Sequence, residues 1–170
     1  MPIGSLLIEA LKSQECVFIL GHDAVLLPNN TPVYQKVLGE VAATFSKKIA
    51  YQKGDEFMYI QPNINDQVYK YIAKGYQSQN MPVFYEQLAE IPYFMAINTS
   101  PDLYLKNIFE AKKAANNGFQ FHFDAYQAQA MPENVPKTND EAPLLYNLFG
   151  TTDLPNSMIF SYDKLFNIIA

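Results

Sequence analysis

The sequence predicts an α/β domain with a Rossmann-like, mainly parallel sheet and helices on both faces of that sheet. Three short apolar runs, at 16–20, 93–97 and 143–150, each lead to glycine or to a cluster of polar residues. Segments whose apolar side chains recur at helical spacing lie between these runs. Buried strands that alternate with helices are typical of a parallel sheet covered by helices. Because the 170 residues contain no linker, repeat or low-complexity tract, we expect a single domain over 1–170.

The first half of the chain alternates helices with strands. In "IGSLLIEALKS" the apolar side chains recur every three or four residues, which predicts an amphipathic helix. The run "CVFIL" is short and continuously apolar and stops at Gly21, as a buried strand does. The predicted elements are a helix at 3–13, a strand at 16–20, a helix at 33–46, a short strand or extended piece in 56–63, a helix that starts with an Asn65 or Asp66 cap and runs toward 74, and a helix at 82–91.

The second half continues this alternation. In "GFQFHFDAYQ" three phenylalanines alternate with polar residues, which predicts a half-buried strand. The predicted elements are a strand at 93–97, a helix at 102–115 capped by Ser100 or Asp102, a half-buried strand in 118–127, a polar loop at 131–142, the apolar run at 143–150, and in 157–169 a strand followed by a terminal helix that Ser161 or Asp163 caps.

The charge balance argues against nucleic-acid and membrane partners. The chain carries 17 acidic and 12 basic residues, for a formal net charge of −5, and all 12 basic residues are lysines. Arginine is the preferred bidentate partner of phosphates and of guanine edges, so its absence argues against nucleic-acid binding. No basic region followed by a long apolar one opens the chain, and no apolar run is long enough to span a bilayer. We therefore expect a cytoplasmic protein with no nucleic-acid and no membrane partner.

Several familiar chemistries have no motif in this sequence. Cys16 is the single cysteine and lies within an apolar run, so it cannot form an internal disulfide and is expected to be a small buried side chain. No set of cysteines and histidines has zinc spacing, and no metal site is predicted. Walker A, G-x-G-x-x-G and G-x-S-x-G patterns are also absent from the sequence.

The ends of the apolar runs are where a ligand is expected, because parallel sheets bind ligands at the carboxyl ends of their strands. After the first run, His22 and Asp23 follow Gly21, which makes them either a base with its orienting carboxylate or loop and capping residues. After the second run, Asn98 and Asp102 have short polar side chains that can bind ribose hydroxyls or cap the next helix.

Three segments together carry a resemblance to a known family. They are "CVFILG" after a helix, "IPYFMAINTSPDLYLKNIFE", and "PLLYNLFGTTDLPNSMIFSYDKLFNII". Over nearly the whole chain their order resembles the bacterial sirtuin-like domains of NAD-consuming antiviral defence proteins. In that family one strand runs into Gly-Ala-Gly-x-Ser, a second ends in Thr-Asn-Tyr-Asp before a helix, and a third segment has the form Leu-His-Gly-Ser. The resemblance implies a site for NAD or an ADP-ribose-type nucleotide at these three motifs.

Individual motif positions depart from the family's pattern. Gly21 matches the first glycine, but His22 and Asp23 place side chains and a negative charge where the backbone should approach a pyrophosphate. Asp102 matches the family's Asp, whereas Ser100 stands at the position of the Asn that helps to position the nicotinamide ribose. The resemblance thus implies nucleotide contacts here only in a degenerate form.

The third motif departs at the residue that matters most for catalysis. Phe149 stands where the catalytic His of the family belongs, and a phenyl ring can neither accept a proton nor hydrogen-bond a ribose hydroxyl. No catalytic residue is therefore predicted. The resemblance implies seven nucleotide-contacting positions, namely Gly21, His22, Asp23, Asn98, Ser100, Asp102 and Phe149.

These departures imply a degenerate, non-catalytic sirtuin-like domain that serves as an interaction, oligomerisation or nucleotide-sensing module in bacterial antiviral defence. A protein partner or fused effector domain and self-association into a homo-oligomer are expected with it. The alternative is an active NAD-consuming hydrolase with an atypical site, in which His22 supplies the base and faces a cleft shared with Asp102. Since members of the family continue with further strands, we expect a fold that is shortened or truncated at its C-terminus.

Overall fold

The computed structural model describes residues 3–13, 16–80, 82–127 and 142–169. The strands are β1 (Val17–Leu20), β2 (Ile49–Ala50), β3 (Tyr59–Ile60), β4 (Met95–Asn98), β5 (His122–Ala125) and β6 (Leu144–Asn147). The helices are α1 (Ile3–Lys12), α2 (Val33–Thr44), α3 (Asn65–Gln77), α4 (Val83–Leu88), α5 (Tyr104–Ala115) and α6 (Tyr162–Ile169). None of the helices in these ranges is both long and apolar enough to cross a membrane.

Four of the strands form a parallel sheet in the order β1–β4–β6–β5, while β2 and β3 form a separate antiparallel pair. The mainly parallel α/β architecture predicted from the sequence is confirmed. Leu20 pairs with Asn98, Asn98 with Asn147, and Asn147 with Ala125, so the four strands end in one row. Because β1, β4 and β6 are neighbours, the three segments that follow them emerge side by side at one edge of the sheet.

The core lies against the sheet face that carries Leu20, Ala96 and Leu145, which are all buried. These side chains share a face because successive residues of a strand point to opposite sides. The helices α2 and α3 contribute buried side chains to the same core and pack closely against each other, so a Cβ atom added to Gly75 would lie 2.9 Å from Cγ1 of Val37. This face of the parallel sheet is therefore buried, whereas Val17 and Ile19 on the opposite face of β1 are exposed.

Two predicted strands differ in extent from those observed. The apolar residues at 158–160 are buried but form an extended segment rather than a strand, and the Met58 N–H donates to the carbonyl of Phe160 at 2.9 Å. In 118–127 only β5 pairs with a neighbouring strand. Phe121, the residue that precedes β5, packs against Phe109 of α5. Hydrophobic periodicity predicts which side chains are buried, but it does not predict which backbone segments form hydrogen bonds with a neighbouring strand. Most of the predicted loop at 131–142, up to residue 141, lies outside the described residues.

Side chains cap two of the helices as predicted. The Lys164 N–H donates to Oγ of Ser161 at 3.3 Å at the start of α6, and the Tyr104 N–H donates to Oδ1 of Asp102 at 3.2 Å at the start of α5. Each bond satisfies an N–H group that has no partner within the helix. The predicted cap of α3 is wrong, because Asn65 is already the first helical residue and no side chain bonds there.

Candidate functional site

The carboxyl end of the parallel sheet gathers nearly all of the buried polar side chains in the described ranges. Seven of the eight buried polar residues end or follow β1, β4 or β6, and the remaining one, Ser161, begins α6. The seven are His22, Asn98, Ser100, Asp102, Asn147, Thr151 and Thr152. Four of these residues were predicted from the sequence as site residues. Since burying polar groups costs free energy unless they are hydrogen-bonded, their clustering makes this edge the candidate site.

His22 is enclosed by aromatic rings immediately after β1. The residue is 2% exposed, and its ring stacks on Phe160 with centroids 5.6 Å apart. The rings of Tyr34 and Phe149 approach it at 5.6 and 5.9 Å. Both ring nitrogens are buried without a hydrogen-bond partner among the described residues. The histidine therefore packs as an aromatic side chain and does not face an open cleft.

The surroundings of His22 favour a neutral imidazole. Burial lowers its pKa below the ordinary value of 6.5, and the carboxylate of Glu56 offsets only part of that effect. Nδ1 lies 3.4 Å from Oε2 of Glu56, without the alignment of a hydrogen bond. The neutral imidazole is the form that accepts a proton, but this one is enclosed and has no aligned partner within hydrogen-bond reach among the described residues.

Asp102, after β4, holds two hydrogen bonds deep in the protein. Its Oδ1 caps α5, and its Oδ2 accepts a hydrogen bond from the hydroxyl of Tyr85 at 3.2 Å. Burial raises the pKa of this carboxyl above 3.8, and these hydrogen bonds oppose the shift. None of the ion pairs found in the described ranges involves Asp102. The result is a carboxyl group that retains its proton to a higher pH than an exposed one and that touches neutral tyrosines.

Two asparagines tie the strand ends together. The side chain of Asn147 donates to the backbone carbonyl of Asp102 at 2.8 Å, which joins the end of β6 to the loop after β4. Oδ1 of Asn98 accepts a hydrogen bond from the Ser100 N–H at 3.0 Å and shapes the same loop. Oγ of Ser100 is buried without a partner in the described part of the chain. The Asn98 side chain therefore hydrogen-bonds the backbone of the loop that follows β4, which agrees with the interpretation of these polar residues as loop and capping residues.

The other three residues predicted as site residues lie nearer the protein surface at the carboxyl end of the sheet. Gly21 is exposed, has an extended backbone and begins a short turn in which its carbonyl accepts the Ala24 N–H at 3.0 Å. Asp23 is exposed, and Phe149 is half-buried between His22 and Phe57. His22 and Phe149 are thus in contact at this edge.

A small cleft adjoins Asp102. It has a volume of about 200 Å³ and is lined by Tyr76, Gln77, Asp102, Tyr104, Asn107 and Thr152, among others. Ligand sites for drug-sized molecules usually measure roughly 300–1,000 Å³, so this cleft does not hold a dinucleotide as it stands. His22 is not one of its lining residues. The structure therefore does not place His22 and Asp102 on one shared cleft.

Neither metal ligation nor a known relative adds to this geometry. Within the described ranges, no three side chains of His, Cys, Asp or Glu converge on a point where they could hold a metal ion. No family model matches the chain, and no curated protein matches it.

Sequence reasoning missed the residues that define the surroundings of Asp102 and His22. Tyr76 and Tyr85 belong to helices, and Glu56 lies in a loop, far along the chain from the motifs. Burial raises the pKa of Tyr85 well above 10.0, so its hydroxyl stays a neutral donor to Asp102. Asn147 had one available signal, since it is a polar residue within the apolar run at 143–150.

Changing Asp102 to Asn is expected to raise the free energy of unfolding at pH 8 by about 1 kcal/mol, because the amide keeps an acceptor for α5 without a buried charge. The raised pKa of Asp102 means that the folded protein binds this proton more tightly than the unfolded chain. Its contribution to stability is present below pH 3.8 and is lost as the pH rises through the folded pKa. Urea denaturation from pH 4 to pH 8 should show the gap between variant and wild type widening as the pH rises.

The matched control is Asp23→Asn, since Asp23 is exposed. It should change stability little at any pH in that range. If Asp102→Asn instead lowers stability at every pH, the carboxylate form has a stabilising role that its contacts do not explain.

Proposed function

We propose that this chain is a non-catalytic domain of sirtuin-like descent that acts through protein contacts, as an interaction or oligomerisation module. The observation that carries the proposal is the enclosure of His22 by Tyr34, Phe149 and Phe160. His22 was the best available base for NAD hydrolysis, and a general base must reach the proton that it removes.

The other side chains at the same edge also support a non-catalytic assignment. Asp23 exposes a negative charge beside Gly21, where the pyrophosphate of a dinucleotide would approach. The Asp102 cleft is small, and no lysine lines it. An anionic nucleotide would meet an acidic side chain at both places, and the described lining of the Asp102 cleft offers no cation to offset it.

An exposed apolar surface supports the protein-contact part of the proposal. Val17 and Ile19 of β1 are 49% and 73% exposed, and they lie on one face of the strand. Their partners in the sheet register are Met95 and Ile97, which are half-buried on the same face. Contiguous apolar side chains on a sheet face are typical of an interaction surface. We call these four residues the β1 face.

The non-catalytic assignment is tested by titrating the protein with NAD, ADP-ribose and cyclic ADP-ribose. We expect no binding heat in calorimetry and no new nucleotide product in chromatography. Turnover of NAD would overturn the proposal and direct attention to the alternative hydrolase, with His22→Ala as the first variant. Saturable binding without turnover would instead favour a nucleotide-sensing module, and thermal stability would then rise with ligand concentration.

The contact surface is tested by the variant Ile19→Asp, measured by light scattering during size-exclusion chromatography. We expect the wild type to self-associate as its concentration rises, and Ile19→Asp to weaken that association by about tenfold because a charge would be buried in the interface. Val83→Asp is the matched control, since Val83 is 64% exposed and lies on α4. Monomeric wild-type protein at all concentrations would remove oligomerisation from the proposal.

A further inference from the structure

A second cleft lies between the β2–β3 pair and α6, and it shares no lining residue with the Asp102 cleft. It has a volume of about 480 Å³, and Tyr51, Asp55, Tyr59, Tyr162 and Phe166 are among the residues that line it. We call it the Tyr59 cleft. Its volume falls within the range of small-molecule sites, which is roughly 300–1,000 Å³. Neither the resemblance nor the proposed function assigns a role to these residues.

Aromatic rings form one wall of the Tyr59 cleft. The rings of Tyr59 and Tyr162 stack with centroids 4.7 Å apart and planes inclined by 29°. Phe166 continues the stack from Tyr162 at 6.3 Å and 30°. Tyr59 and Phe166 are 56% and 58% exposed, so ring surface is available to a ligand. Ring faces carry a negative electrostatic potential and attract cations.

A carboxylate lies beside these rings. The hydroxyl of Tyr162 donates a long hydrogen bond of 3.5 Å to Oδ2 of Asp55, which holds the acid next to the stack. Oη of Tyr51, also in the lining, is buried and has no hydrogen-bond partner among the described residues. None of the described side chains that line the cleft is basic. The cleft therefore combines a negative charge with electron-rich ring faces and offers no described cation to an anionic ligand.

We propose that the Tyr59 cleft binds an alkylated ammonium group of the choline type. The methyl groups of such a cation pack against aromatic rings, while its charge is attracted both to the ring faces and to Asp55. A metal ion or a primary ammonium holds its water more tightly and gains less from the rings. A phosphate or a carboxylate would be repelled by Asp55 and by the ring faces.

The test compares choline with its neutral carbon isostere, in which a tert-butyl group replaces the trimethylammonium group. Both are titrated into the protein while the tyrosine ring protons are followed by nuclear magnetic resonance. We expect choline to bind with a Kd on the order of millimolar and the isostere to bind at least about tenfold more weakly. Equal affinities would show that apolar burial alone drives binding and would overturn the proposal, as would the absence of saturable choline binding.

Two variants locate the site. Tyr59→Leu keeps an apolar side chain but removes a ring face, and we expect it to weaken choline binding about fivefold. Asp55→Asn removes the charge and should weaken choline binding about threefold while leaving the isostere unaffected. The control is Asp163→Asn, because Asp163 is an exposed acid of α6 that does not line the cleft. Unchanged choline affinity in both Tyr59→Leu and Asp55→Asn would overturn the assignment to this cleft.

A sedimentation experiment with lipid vesicles distinguishes a lipid headgroup from a soluble molecule as the source of the cation. Vesicles of phosphatidylcholine carry the same headgroup as free choline. Co-sedimentation of the wild type, but not of Tyr59→Leu, would support the proposal with a lipid headgroup as the ligand. Choline binding without co-sedimentation would support it with a soluble ligand.

Discussion

Replacing Gly150 with Ala is expected to lower the free energy of unfolding by about 3 kcal/mol, the largest effect that we predict for a single substitution. Gly150 has a φ of 78°, in the left-handed region that disfavours any residue with a side chain. A Cβ atom at this position would also collide with the backbone carbonyl group of Ser157. The backbone here approaches its neighbour too closely for any residue but glycine.

The substitution Gly150→Ala should also affect the candidate site, because hydrogen bonds of Ser157 stabilise the loop that follows Gly150. The Thr151 N–H donates to Oγ of Ser157 at 3.0 Å, and that hydroxyl donates in turn to the carbonyl of Leu154 at 2.7 Å. Displacing Ser157 would break both bonds and release the loop beside Phe149. Urea denaturation followed by circular dichroism measures the change.

Gly39→Ala is the matched control, because Gly39 lies in α2 and an added Cβ would meet no atom within 4 Å. That variant should gain about 0.5–1 kcal/mol, since alanine favours helix more than glycine does. If Gly150→Ala proves as stable as the wild type, the tight approach at Ser157 must relax without cost, and our account of this loop would be wrong.

The protein is expected to lose stability in acid through His22, by up to about 2 kcal/mol at pH 5. The pKa of His22 is lowered in the folded state, so the unfolded chain binds this proton more tightly. The contribution of the neutral imidazole is complete well above pH 6.5 and declines as the pH falls from 6.5 toward the folded pKa. Protonation within a ring of aromatic side chains is costly because Glu56 offers only a poorly aligned contact.

The variant His22→Phe isolates this effect. Phenylalanine keeps an aromatic ring among Tyr34, Phe149 and Phe160 and removes two buried nitrogens that have no described partner. We expect it to be at least as stable as the wild type at pH 8 and more stable at pH 5. Urea denaturation at several pH values from 8 to 5 measures the difference, which should grow steadily below pH 6.5.

The other histidine provides the control, since His122 lies in β5 and is only half-buried. The variant His122→Gln should retain the acid sensitivity that His22→Phe removes. If His22→Phe and the wild type have parallel pH profiles, the pKa of His22 does not differ between the folded and the unfolded chain, and the folded protein accepts this proton without cost. A charged imidazole would then have to be paired more closely with Glu56, and the alternative in which His22 supplies a base would regain support.

The convergence of the strand ends could be predicted from the sequence. A continuous apolar run that stops at a glycine or a polar residue reports a buried strand and its end, because both features are local. Helices between such runs require parallel pairing, which brings the carboxyl ends to one edge. The positions of His22, Asn98 and Asp102 near one another follow from those facts, and the structure places them there.

The surroundings of each site residue were decided by the tertiary structure. Tyr34 and Phe160 enclose His22 from positions more than 100 residues apart in the chain, and no local pattern links them. The buried segment at 158–160 has the composition of a strand, yet no neighbouring strand pairs with it along its length in the described ranges. The Tyr59 cleft likewise needs two separate segments to bring Tyr59 beside Tyr162.

The sequence by itself determined the class of this protein, an α/β domain with polar groups at the carboxyl ends of its parallel strands. Which of those groups are enclosed and which remain open was decided only by packing between distant segments. The physical reason is that secondary structure follows the periodicity of neighbouring residues, whereas the burial and pKa of a side chain depend on every atom around it. His22 follows a strand as the sequence predicts, and rings from distant segments enclose its imidazole in the structure.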